Sequence, residues 1–108
     1  HGLSNALVLT EVLKFNRDAA MRHYGELASA VMPDQRFSND AEACDAFIAF
    51  IAAMVARMPF AQKLRDVGVA QSDLDMLATD AMKVERLLIN NPREVTFDDA
   101  RAIYARVL

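Results

Sequence analysis

The sequence predicts an all-α fold, a multi-helix bundle of about five or six helices. Three observations carry that prediction. Apolar residues recur at intervals of three and four, no segment alternates apolar and polar side chains with the period of two that marks a half-buried strand, and only three glycines occur, none in a Gly-rich loop. The totals agree. At 108 residues, with 54% apolar and 25% charged residues, the chain has the length of one domain and the composition of one that folds. No internal repeat, low-complexity linker or second domain is visible, so residues 1–108 read as one unit.

The first helix is expected from Leu3 to Phe15, where Leu7, Val8, Leu9, Val12 and Leu13 spread over most of the circumference. Such a helix should be largely buried. Asn16 then has the chemistry to end it and cap the next, because its short amide competes for backbone hydrogen bonds. The second helix, Arg17 to Met32, carries Ala20, Tyr24, Leu27, Ala28 and Val31 on one stripe, and Pro33 with the polar run to Ser38 closes it.

Asn39 followed by Glu42 has the form of a capping box and opens the third helix, in which Ala43, Cys44, Phe47, Ile48, Ile51, Met54, Val55 and Met58 repeat at helical spacing. Alanines fill its other side, so this helix is expected to be the central one, with Pro59 after its end. Lys63 to Gly68 should form a short turn. Ser72 with Asp75 repeats the capping pattern ahead of a helix over Asp73 to Lys83, and Asn90-Asn91-Pro92 reads as a turn. Thr96 with Asp99 opens the last helix, whose inner face is Ala100, Ile103, Tyr104 and Val107.

Composition also limits function. A net charge of -3 and a pI near 5.2 leave no basic surface of the kind that neutralises phosphates, so nucleic acid is not an expected partner. The longest apolar run, Ala46 to Ala56, falls well short of the roughly 18 residues needed to span a bilayer, and no membrane association is expected. The first residues have none of the layout of a signal peptide. Cys44 is the sole cysteine, which excludes an internal disulfide and fits a reducing cytoplasm; its apolar neighbours point to a thiol packed in the core.

Few residues can carry chemistry. His1 and His23 are the only histidines and are too far apart in sequence to form a local ligand pair. A catalytic metal needs about three protein ligands, so neither defines a site unaided. His23, between Arg22 and Tyr24, reads as a surface or half-buried residue. His1 has two readings, the stub of a purification tag or a ligand at the head of a helix, where the positive end of the helix dipole favours the neutral, metal-binding ring. The acid pairs Asp73/Asp75 and Asp98/Asp99 sit at expected helix starts, which explains them without catalysis. Ser4, Ser29, Ser38 and Ser72 lack any activating motif, and Met54 and Met58 fall at core spacing.

The run His1-Gly2-Leu3-Ser4-Asn5-Ala6-Leu7-Val8-Leu9, continuing to Val12-Leu13-Lys14-Phe15-Asn16, closely resembles the segment of iron-containing (group III) alcohol dehydrogenases, in the dehydroquinate synthase-like superfamily, that bears the last metal-binding histidine. Leu64-Arg65-Asp66-Val67-Gly68-Val69 is similar to a short inter-helix element of that family. The ending Asn90-Asn91-Pro92-Arg93-Glu94-Val95-Thr96, with Asp99-Ala100 and Ile103-Tyr104, is similar to its last turn and helix. Thr10-Glu11 departs from the family, which often has proline followed by histidine or another residue there; Glu11 could reach the cleft or face solvent, and solvent is the expectation.

The resemblance implies that residues 1–108 are the C-terminal part of a metal-binding helical domain, with further helices and an α/β nucleotide-binding domain upstream and absent from this sequence. It further implies Fe2+ or Zn2+ held by one aspartate and three histidines, of which His1 matches the last. NAD(P) would be the cofactor, a small alcohol or aldehyde the substrate, and a homo-oligomer the assembly. The metal in such enzymes polarises the alcohol oxygen for hydride transfer. This polypeptide alone is then expected to be inactive and to bind neither metal nor NAD(P) tightly. The competing expectation is a self-contained helical interaction module with a tag-derived His1.

Overall fold

The computed structural model describes residues 2–59, 62–84 and 90–108, the first four of these by backbone only. The described residues contain four α-helices and no strand: α1 (Gly2–Val31), α2 (Asp40–Ala56), α3 (Leu74–Met82) and α4 (Phe97–Arg106). Short 3-10 turns at Leu64–Val67 and Gln71–Asp73 precede α3. The all-α expectation holds, but the count among the described residues is four helices where five or six were expected.

The difference arises mainly at Asn16. The two expected helices on either side of it are one continuous helix of 30 residues. Asn16 is only 2% exposed, and its amide is engaged by a distant turn instead of by the local backbone. With the side chain occupied there, nothing competes with the helical ladder, and no proline or glycine interrupts it at that point.

α1 is also the spine of the molecule. It packs along α2 through its C-terminal half and meets α4 through its N-terminal half, whereas α2 packs chiefly on α1. The expectation that the third segment would be central is therefore wrong. One face of α2 (Ala43, Cys44, Phe47, Ile48) is buried, while Ala49, Ala53 and Ala56 on the remainder are exposed. The expected burial of the first helix is corrected in the same way. Leu7 and Leu13 are buried, Val8, Val12 and Phe15 are half-buried, and Leu9 is 41% exposed. Both segments carry more apolar surface than the described elements cover.

The buried side chains form two groups. Leu13, Ala20, Tyr24 and Ala28 of α1 meet Ala43, Cys44, Phe47 and Ile48 of α2, with the Tyr24 and Phe47 rings tilted against each other at 5.7 Å. Small residues allow the close approach: a methyl group placed on Gly25 would lie 3.4 Å from the Ala43 Cβ. The second group comprises Leu64, Leu74, Ala78, Ala100 and Ile103 from the 3-10 turn, α3 and α4. There the Leu64 N–H donates to the Val107 carbonyl at 2.8 Å and the Arg65 guanidinium donates to the Leu108 carbonyl at 2.7 Å, strapping the last residues to the turn. Gly68 closes that turn with φ +93°, in the left-handed region that glycine tolerates.

Local caps follow the sequence in two cases and depart from it in one. Asn39 accepts from the Glu42 N–H at 2.8 Å, which is the first half of the expected box without the reciprocal bond from Glu42, and Thr96 and Asp99 exchange both bonds of a capping box at 3.1 and 3.2 Å. Ser72 and Asp75 form no such box. The 3-10 turn starts two residues earlier, its Asp73 carboxylate accepts from the Ala70 N–H at 2.9 Å, and Asp75 instead takes the Arg101 guanidinium of α4 at 2.6 Å.

The Asp99 carboxyl is held below its ordinary value by the Thr96 N–H and hydroxyl, and Asp45 is lowered by its hydrogen bond from Arg17. In both cases the folded state favours the ionised form. Their stabilisation is present above the ordinary aspartate value of 3.8 and is lost as pH falls below it through the folded values. Urea midpoints followed from pH 7 down to pH 3 should therefore drop most steeply at the acid end, and Thr96→Val should flatten that drop.

Candidate functional site

The one residue that the sequence nominates as a metal ligand, His1, lies outside the described residues. Among the described residues no group of three or more His, Cys, Asp or Glu side chains could hold a metal ion. These residues do not by themselves fit a resident metal.

Most of the other candidates take the structural roles read for them. His23 is exposed on α1, its ring tilted 6.2 Å from that of Tyr24. Cys44 is a free thiol, fully buried between α1 and α2, and burial pushes its pKa up. A thiol so placed is a poor nucleophile. It should resist an aromatic disulfide reagent in native buffer and react promptly once the chain is unfolded in urea; fast labelling of the native chain would contradict the packing described. Of the acids, Asp73 and Asp99 cap turns and Asp75 pairs with Arg101. Met54 is half-buried, but Met58, assigned to the core from its spacing, is 41% exposed beyond the end of α2.

Two clefts flank the N-terminal half of α1. One, of about 320 Å³, runs between Val8, Val12 and Phe15 on α1 and Ala100, Ile103 and Tyr104 on α4. Its lining is largely hydrocarbon, and the half-buried Tyr104 phenol has its pKa raised by burial and then by Asp80, so it remains protonated at neutral pH. The other, of about 470 Å³, is polar and is bordered by Glu11, Lys14, Arg17, Asp18, Arg93 and Arg106. Glu11 was expected in solvent. It is instead only 17% exposed along this cleft, 3.4 Å from the Lys14 ammonium.

Sequence reasoning missed the contact between these clefts. The Asn16 and Asn91 amides exchange two hydrogen bonds, at 2.9 and 2.7 Å, and the Asn91 amide also donates to the Arg93 carbonyl at 2.7 Å. Asn16 further approaches the Tyr24 hydroxyl at 3.4 Å. Arg93 donates to the Phe15 carbonyl at 3.1 Å and lies 3.9 Å over the Phe15 ring. The available signal was a polar residue amid an apolar helical run, which sequence reasoning assigned to a cap.

The described residues thus define an all-helical scaffold with two clefts along its longest helix. The family model for the Fe-containing alcohol dehydrogenase family, C-terminal, matches residues 1–108, and the chain belongs to that family. It is 29% identical over 96% of its length to long-chain-alcohol dehydrogenase 1 of Geobacillus thermodenitrificans, covering 26% of that protein. It is 30% identical over 96% of its length to lactaldehyde reductase of Escherichia coli, covering 27%, and 33% identical over 96% to alcohol dehydrogenase 4 of Schizosaccharomyces pombe, covering 24%. The chain therefore spans about a quarter of the length of the curated relatives it matches. No solved structure gives a significant match.

Proposed function

We propose that this chain is the C-terminal helical part of a larger alcohol dehydrogenase that interconverts an alcohol and its aldehyde by hydride transfer with NAD(P), and that alone it is inactive. The family match along all 108 residues carries this reading. In it, His1 supplies one ligand to Fe2+ or Zn2+, and the remaining ligands and the nucleotide domain come from outside this sequence. The bound ion would act as the Lewis acid for the alcohol oxygen.

The shape of the molecule supports the reading. Its extents of 44 × 31 × 18 Å describe a slab, and its 6972 Å² of accessible surface exceeds the roughly 6000 Å² usual for a compact chain of this mass. Leu9, Met58, Met76 and Phe97 are among the large apolar side chains left exposed, which favours further elements or a second subunit packing against the slab. The outer faces of α1 and α2 also favour this reading over a self-contained interaction module. Cytoplasmic placement and homo-oligomerisation belong to the same proposal; among the described residues no helix is long and apolar enough to cross a membrane.

The test is to express the complete reading frame with and without divalent metal and to assay alcohol-dependent reduction of NAD and NADP. Metal-dependent activity that falls together with bound metal in His1→Ala supports the proposal. Tight binding of either NAD(P) or metal by the 108-residue chain alone, or full activity and metal content in His1→Ala, overturns it.

A further inference from the structure

Among the described residues α1 is shared by both halves of the molecule: it packs on α2 through one group of buried side chains and meets α4, which belongs to the other, and Asn16 stands between those two stretches. From Leu13 onward α1 belongs to the core it shares with α2, while its N-terminal half faces α4. A residue whose side chain ordinarily favours helix ends thus occupies the joint between two lobes. It is held helical there by a reciprocal amide pair whose members lie 75 residues apart. Arg93 reinforces the same point by covering the adjacent Phe15 ring and carbonyl.

We infer that α1 is a hinged helix locked at Asn16, with the Asn91–Arg93 turn as the lock that fixes the angle between the α1–α2 lobe and the α3–α4 lobe. With Asn91 in place, the Asn16 amide is satisfied and the helical ladder runs through. Without it, the buried Asn16 oxygen loses its donor and the amino group keeps only the long 3.4 Å contact to the Tyr24 hydroxyl; the amide recovers hydrogen bonds most cheaply by turning to its own backbone, which opens the helix at that residue. The hinge follows from the contacts alone and does not depend on the proposed chemistry.

Amide hydrogen exchange on the 108-residue chain tests it. The reporters are the amides of residues 17–20, whose helical acceptors are the carbonyls of residues 13–16 and whose bonds span the joint. In Asn91→Ala these amides should exchange roughly tenfold faster or more, while those around Phe47 and Ile48 in α2 keep their protection. Adding Asn16→Ala to that variant removes the unpaired amide and installs the best helix former, so protection at residues 17–20 should return to within about threefold of the original chain. A merely structural contact would give no such recovery.

Should Asn91→Ala fail to fold, Arg93→Gln weakens the lock more gently and should show the same localised pattern at roughly threefold amplitude. Unchanged exchange at residues 17–20, acceleration spread equally through α2, or no recovery in the double variant overturns the hinge. None of those results bears on the dehydrogenase assignment, which is read separately by metal content and cofactor reduction.

Discussion

Phe47→Ala is expected to cost about 3–5 kcal/mol of folding free energy, the range for removing an aromatic ring from a core. Phe47 is 8% exposed and fills the interface of α1 and α2, where its ring meets Tyr24 and is surrounded by the small residues that bring the helices together. Alanine at 47 would leave a void that neighbours such as Ala43 and Ala28 are too small to fill. The exposed Arg17–Asp45 ion pair, with bonds of 2.6 and 3.0 Å, also bridges α1 and α2 nearby. Urea unfolding should show the loss as a lower midpoint with little change in slope. A shift below about 1 kcal/mol would mean that the interface repacks freely.

Leu64→Ala is expected to cost about 2–5 kcal/mol, and through a different part of the molecule. Leu64 is 1% exposed, with Leu74 one of the two largest fully buried side chains among the described residues, and it sits where the 3-10 turn receives the residues after α4. Its side chain anchors the turn while its N–H holds the Val107 carbonyl, so truncation loosens both the core and the strap. Exchange measurements should show the amides of α4 losing protection before those around Phe47. An equal loss in both places would show that the two buried groups unfold as one cooperative unit.

How much of this could be read in the sequence depends on how far apart the interacting residues lie. The caps at Asn39 and at Thr96 with Asp99 are complete within a few residues and were legible. The Ser72 box failed because an equally local alternative, Asp73 on the Ala70 N–H, uses neighbouring residues and wins once the 3-10 turn forms. Asn16 was misread for a stronger reason: its partner is 75 residues away, and no local pattern distinguishes a satisfied helical asparagine from a cap. The position of α2 was misjudged because periodicity reports which residues are apolar and says nothing about how many neighbours exist to cover them.

The candidate site divides along the same line. Cys44 in the core and Asp99 at a helix start were legible from their immediate neighbours, whereas the pairing of Asp75 with Arg101, 26 residues away, was not. Glu11 was not, since the cleft that shelters it is built partly by Arg93 and Arg106, from the far end of the chain. His1 rests on the wording of its segment, and the geometry that would judge it lies outside the described residues.

The thinness of the slab reaches into its thermal behaviour. A body only 18 Å through keeps much of its hydrocarbon wet even when folded, so melting adds less newly hydrated apolar surface than it would for a rounder chain of equal length. The heat-capacity increment should fall below the roughly 1.2–1.5 kcal/mol/K usual per hundred residues, and the curve of stability against temperature should be correspondingly shallow. Calorimetry would then record a broad, low melt and little weakening on cooling, a profile set by geometry before any ligand or neighbour is considered.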